Sequence, residues 1–199
     1  MDKEWDGRPD PELLLRQNFP EGESDGKGKL KIFFGYAAGV GKTYAMLDAA
    51  RQEKEAGRDV VAGYIEPHDR PDTMALLDGL EFLPPRTVGY KGIVLREFDL
   101  DAALIRRPDL ILVDELAHTN AQGSRHRKRC QDVTELLDAG INVYTTVNVQ
   151  HLESLHDIVA SITHVRVSER IPDSVFDNAS QVELVDISPE ELRQRLEEG

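Results

Sequence analysis

Between Leu30 and Thr43 the chain runs Leu-Lys-Ile-Phe-Phe-Gly-Tyr-Ala-Ala-Gly-Val-Gly-Lys-Thr. An apolar strand breaks into small residues and ends in Gly-Lys-Thr, the layout of a phosphate-binding loop between a buried strand and a helix. Polyphosphate needs many hydrogen-bond donors converging from one side. Backbone amides supply them only where the chain wraps closely on the anion, so Gly39 and Gly41 must lack side chains, with the Val40 amide between them. A helix starting near Lys42 adds its free first-turn amides and the positive end of its dipole. Lys42 then reaches the β- and γ-phosphates, and the Thr43 hydroxyl becomes a Mg²⁺ ligand. The first position of the G-x-x-x-x-G-K-[ST] pattern is Tyr36, and Gly35 lies one residue too early. The competing reading is a glycine-rich strand-to-helix turn with an exposed lysine.

A second motif supports the first. Leu110-Ile111-Leu112-Val113 is a continuous apolar strand that runs directly into Asp114-Glu115. Downstream of a phosphate-binding loop, this is the Walker B arrangement. Asp114 is expected in the Mg²⁺ shell and Glu115 as a general base on an attacking water. Both motifs fall at the carboxyl ends of strands, where open α/β sheets gather ligands. The strand Ile141–Val149 ends in Thr145-Thr146-Val147-Asn148, so Thr146 or Asn148 is a candidate γ-phosphate sensor, or else a cap for the following helix. Glu66 ends another strand, facing either substrate or water. His118 lies just past Glu115, placed to orient it or to satisfy loop backbone. His151 and His156 are five apart and do not make the i, i+4 pair of a helical zinc motif. Gly123 to Arg129 is the only dense basic cluster. It reads as an arginine finger, a contact for anionic lipid or acidic protein, or a solvated helix start.

The rest of the chain alternates strand and helix patterns. Met46, Leu47 and Ala50 share one face of a helix that ends near Gly57, and Asp59–Ile65 reads as a strand. Leu76, Leu77, Leu80 and Leu83 form a helical stripe stopped by Pro84 and Pro85. Thr87–Tyr90 and Ile93–Leu95 are short strands, and Leu100–Arg107 is a short helix. Val133, Leu136 and Leu137 mark a helix closed by Gly140. Leu152, Leu155, Val159 and Ile162 form another helical stripe. Gln181–Ile187 is a late strand, followed by a helix start at Ser188-Pro189. Alternating elements with continuous apolar strands predict an α/β fold: a P-loop NTPase-like three-layer sandwich with a mostly parallel central sheet. Residues 1–28 are acidic and rich in proline and glycine, a loose arm in which Leu13–Leu15 make at most one docking helix; 29–199 form the domain.

The net charge of −13 argues against general nucleic-acid binding, which needs a basic face. The one cysteine, Cys130, allows no internal disulfide and fits a reducing cytoplasm. No apolar run approaches a membrane span, and no signal-peptide pattern opens the chain.

The run Asp114 to Asn120, then Gly123-Ser124-Arg125-His126, Asp132-Val133 and Glu135 through Leu155 resembles the N-terminal domain of the KdpD family, the osmosensitive potassium sensor histidine kinases of bacteria. The resemblance extends from about Lys29 to the end. It maps the family's Walker A motif onto Gly35–Thr43 and its Walker B onto Asp114-Glu115. Tyr36, Arg127 and Cys130 depart from its pattern, as do Pro67, Asp69 and Pro71. The resemblance implies a cytoplasmic input domain that binds ATP and Mg²⁺. Full-length members continue into a universal-stress-protein-like domain, membrane helices that place them in the inner membrane, and a kinase core that works with a response regulator to control a potassium-uptake ATPase. The partners expected for this piece are nucleotide, the downstream domains and a possible second copy. Any hydrolysis is expected to be slow, since no arginine is supplied to the site. Two alternatives stand: a freestanding P-loop ATPase or small-molecule kinase, and an interaction module with a vestigial loop, which Tyr36 favours.

Overall fold

A computed structural model describes residues 26–66, 71–90 and 93–198. The Leu13–Leu15 segment and most of the acidic arm, with Pro67 and Asp69, lie outside the described residues. In chain order the elements are β1 (Leu30–Gly35), α1 (Lys42–Glu55), β2 (Val60–Tyr64), α2 (Pro71–Ala75), β3 (Glu81–Phe82), β4 (Arg86–Tyr90) and β5 (Ile93–Glu97). They continue with α3 (Leu100–Arg106), β6 (Leu110–Val113), α4 (Arg129–Asp138), β7 (Asn142–Asn148), a 3-10 turn at Val149–His151, α5 (His156–Thr163), α6 (Asp173–Asp177), β8 (Gln181–Leu184) and α7 (Pro189–Glu198).

Six strands form one sheet in the order β3-β2-β6-β7-β1-β8, and each of its pairings is parallel. Parallel strands need crossovers, which place helices on both faces and bury the strands on both sides. The core accordingly splits in two along the period-2 alternation of the strands. Ile32, Ile111, Val113 and Val143 point to one face, where Val133 and Leu136 of α4 and Ala103 of α3 cover them. Phe33, Leu110 and Leu112 point to the other, against Met46, Leu47 and Ala50 of α1. All four residues of β6 are fully buried, as its unbroken apolar sequence requires. Each such side chain contributes roughly 1.5–3 kcal/mol of burial.

The expected three-layer α/β sandwich with a parallel sheet is what the chain adopts. Several local expectations need correction. The Leu76–Leu83 stripe is not a helix. The helix is α2, which ends at Ala75; Gly79, at φ +80°, turns the chain, and Leu80 and Leu83 bury against opposite faces of the sheet. A left-handed glycine ends a helix readily. The stripe from Leu152 to Ile162 also fails as one helix: Leu152 bridges Ile171, α5 starts only at His156, and Ile162 is exposed. The strands near Thr87 and Ile93 pair with each other as an antiparallel hairpin outside the main sheet. The short elements β3 and α6 carry too few residues for a periodicity to register.

Because β7 lies between β1 and β6, the carboxyl ends of β1 and β6 flank its Thr145–Asn148 end. That order puts the three sequence motifs around one point.

Candidate functional site

The turn from β1 into α1 depends on two glycines in the left-handed region, Gly39 at φ +88° and Gly41 at φ +102°. Gly41 is the N-cap of α1 and offers no side chain to the first-turn amides. Those amides have no intrahelical partner and remain for an external acceptor. Gly35 has a different task. A Cβ there would lie 2.6 Å from Val40 Cγ2 and 3.0 Å from Lys42 Cδ, so its bare backbone lets the loop fold down over the lysine stem.

Lys42 is buried, and its Nζ donates to Ala37 O at 2.8 Å. Burial pushes its pKa down to about 8, although Asp114 and Glu115 pull the other way. The Thr43 hydroxyl donates to Asp114 Oδ2 at 3.2 Å, bringing two oxygen donors for a hard cation together. Asp114 is buried; its Oδ1 accepts from the Glu115 amide at 3.1 Å and from the Thr146 hydroxyl. Thr146 Oγ1 in turn accepts from the Glu115 amide at 3.2 Å. Thr146 therefore braces the turn that follows β6 and is committed to Asp114.

Asn148 lines the same cleft, and its buried Oδ1 has no hydrogen-bond partner. It does not cap the 3-10 turn that follows, so the capping alternative fails for this side chain. A buried polar atom without a partner costs stability; the oxygen is held away from solvent while the residue itself lines the cleft.

Glu115 adopts φ +59°, a conformation that costs a non-glycine residue of order 1 kcal/mol and concentrates at functional sites. Burial, then the neighbouring Asp114 and Glu66 charges, raise its pKa above the ordinary carboxylate range, against Arg129 and His118. A carboxylate raised toward neutrality is suited to taking a proton from water.

Gly39, Val40, Gly41, Lys42, Thr43, Asp114, Glu115 and Asn148 all line one cleft of about 1110 Å³. Its far wall comes from Thr73 and Leu76 and from His151 and Glu169. Among the described residues that line it there is no arginine. Tyr36 is not part of the lining; its hydroxyl donates to Ile187 O at 3.0 Å, beyond the end of β8. Glu66 accepts the Tyr64 hydroxyl at 2.7 Å, and its amide approaches Asp114 Oδ2 at 3.4 Å.

His118 Nε2 lies 3.1 Å from Glu97 Oε2, on β5, and the residue also lines the cleft. The basic cluster is largely spent within the molecule. Arg129 is fully buried, donates to Asp114 O at 3.0 Å and to Glu97 Oε2 at 3.4 Å, and lies 4.1 Å over the Tyr64 ring. Arg125 pairs with Asp101 and Glu135, and His126 with Glu135.

Glu97 is the residue that sequence reasoning missed. It is buried, accepts from His118, Arg129 and the Ala121 amide at 2.8 Å, and ties the hairpin to the loop that follows β6. Burial alone would raise its pKa, but these partners outweigh it and hold the carboxylate below its usual range. An acid closing a short amphipathic strand carries no signal that separates it from a solvated one.

Residues 26–199 match a protein family described as KdpD, the osmosensitive K+ channel His kinase sensor domain. The chain is 63% identical over 192 residues to a protein of Clostridium acetobutylicum named Sensor protein KdpD, and 57% identical over 192 residues to the Escherichia coli K12 protein of the same name. Each alignment covers 96% of this chain and 21% of the relative. A Putative sensor protein KdpD of Synechocystis is 53% identical over 173 residues, 87% of this chain and 47% of its own length. The chain thus spans about a fifth of the first two relatives.

Proposed function

The chain belongs to the KdpD sensor-domain family, and from that premise we propose that it is an ATP-binding input domain of a potassium-responsive sensor histidine kinase. The observation that carries this reading is the meeting of Lys42, Thr43, Asp114 and the Asn148 side chain around one cleft at one end of the sheet. In the reading, the Gly39–Thr43 amides and the Lys42 ammonium hold the triphosphate. Thr43 and Asp114 would hold Mg²⁺. Lys42 exchanges its bond to Ala37 O for a phosphate oxygen. Asn148 reports the γ-phosphate. The metal, when bound, neutralises the charge of the transferring phosphate.

Glu115 takes the proton of an attacking water. Nucleotide occupancy would then bias the downstream kinase in the cytoplasm, and through it a response regulator, only as far as the two states differ in nucleotide affinity. That Tyr36 stands outside the phosphate cleft weakens the vestigial-loop alternative. Calorimetric titration with ATP–Mg²⁺ tests the proposal. Lys42→Ala should lose at least about tenfold in affinity, the loss of one charge-assisted contact, with unfolding cooperativity unchanged. Identical titrations of variant and wild type would remove the assignment.

A further inference from the structure

Tyr36 is the residue that breaks the P-loop pattern, and the phosphate cleft makes no use of it. It lies at the first loop position, 37% exposed, and reaches across to the segment that follows β8. With Asp186, Ile187 and Ser188 it lines a second hollow, shallow and widely open. The linings of the two hollows adjoin along the chain at two places. Ala38 lines one and Tyr36 the other, two residues apart; Val185 lines one and Asp186 the other, as chain neighbours.

The direction of a bound triphosphate follows from the sheet order. The acids that line the phosphate cleft beside Thr43, Asp114 and Glu115, follow β6. That strand lies on the β7 side of β1, and β8 lies on the opposite side. A nucleotide whose γ-phosphate faces those acids therefore extends its ester end toward β8.

We infer that Tyr36 and the Asp186–Ser188 segment form the nucleoside subsite of this cleft, with the Tyr36 ring as the platform for the base and Asp186 as an acceptor for sugar hydroxyls. The inference rests on the proposed triphosphate site. Its chemistry is complementary to that site: the phosphate cradle recognises any polyphosphate, whereas an aromatic face and a carboxylate recognise a nucleoside. Base stacking tolerates any base, so the subsite favours nucleotides over bare polyphosphate more than one base over another. The Tyr36 hydroxyl, held by Ile187 O, fixes the segment against the loop. The Ser188 hydroxyl accepts from the Glu191 amide at 3.1 Å and anchors the segment at the start of α7.

The test is a pair of titrations on the full chain, one with ATP–Mg²⁺ and one with inorganic tripolyphosphate–Mg²⁺. Wild type should bind ATP about tenfold or more tighter than tripolyphosphate. Tyr36→Ala should abolish that difference while leaving tripolyphosphate affinity unchanged. Tyr36→Phe, which keeps the ring, should retain most of it, and Asp186→Asn should lose part. Tripolyphosphate binding by Tyr36→Ala also shows that its loop is folded. If wild type binds both ligands equally, or if Tyr36→Ala keeps the full preference for ATP, the subsite is wrong and the phosphate site stands. If wild type binds neither, the phosphate site itself is wrong and the subsite falls with it.

Discussion

Lys42 links the electrostatics of this site to a measurement with a definite sign. Burial holds its pKa at about 8. A triphosphate against the ammonium returns the residue to its ordinary value of roughly 10.4 or above. Binding must therefore take up a proton wherever free Lys42 is neutral. With the free value near 8, the ammonium fraction is about nine-tenths at pH 7 and about one-tenth at pH 9. ATP–Mg²⁺ affinity should accordingly fall about tenfold between those two pH values, ~1.4 kcal/mol. Calorimetry in two buffers of different ionisation enthalpy counts the protons: about 0.9 taken up per site at pH 9 and about 0.1 at pH 7. Lys42→Arg, which stays charged throughout, should bind with a flat profile. Stability in the absence of ligand runs the opposite way. Between pH 8 and the unfolded value the native state binds fewer protons than the unfolded chain, so this residue's contribution rises with pH across that window, by roughly 3 kcal/mol at most. The difference in unfolding free energy between wild type and Lys42→Met isolates it. Constant wild-type affinity with no proton uptake would refute the contact between Lys42 and phosphate.

Other outcomes follow from the same geometry. Glu97→Gln and Arg129→Met each leave a buried partner uncompensated and should cost about 3–5 kcal/mol by urea unfolding, whereas the double variant Glu97→Leu with Arg129→Met should cost well under their sum; additive losses would show that the two do not interact. Gly35→Ala forces a Cβ against Val40 and the Lys42 stem, so it should lower stability by about 1–3 kcal/mol and weaken ATP binding with it. An unchanged melting temperature and affinity would contradict the close approach. Glu115→Gly removes a left-handed non-glycine residue and should relieve about 1 kcal/mol of strain while ATP binding persists and phosphate release stops. Continued release would exclude Glu115 as the base.

Chain order and residue type made the sheet and its two motifs readable. Four consecutive apolar residues before Asp114 specify a strand buried on both faces, and Gly39 and Gly41 announce a loop that needs positive φ. These are local properties, set by side-chain volume and backbone sterics, and they act wherever the strand is placed. The stripes at Leu76–Leu83 and Leu152–Ile162 misled because burial alone produces the same spacing. Leu77 and Leu80 are buried from turns, and periodicity cannot tell a buried turn from a buried helix face.

What the chain could not declare is which distant groups share a point. The placement of β7 between β1 and β6 decided that Thr146 would brace Asp114 and that Asn148 would face the cleft. The return of the hairpin decided that His118 and Arg129 would meet at the one buried Glu97 carboxylate. The reach of Tyr36 to Ile187 spans 151 positions of chain. Pairings of this kind depend on three-dimensional proximity, which desolvation and charge complementarity enforce only after the sheet has assembled. The amino-acid order therefore fixed the phosphate loop and the strand that faces it, and the tertiary structure fixed which polar groups complete the site.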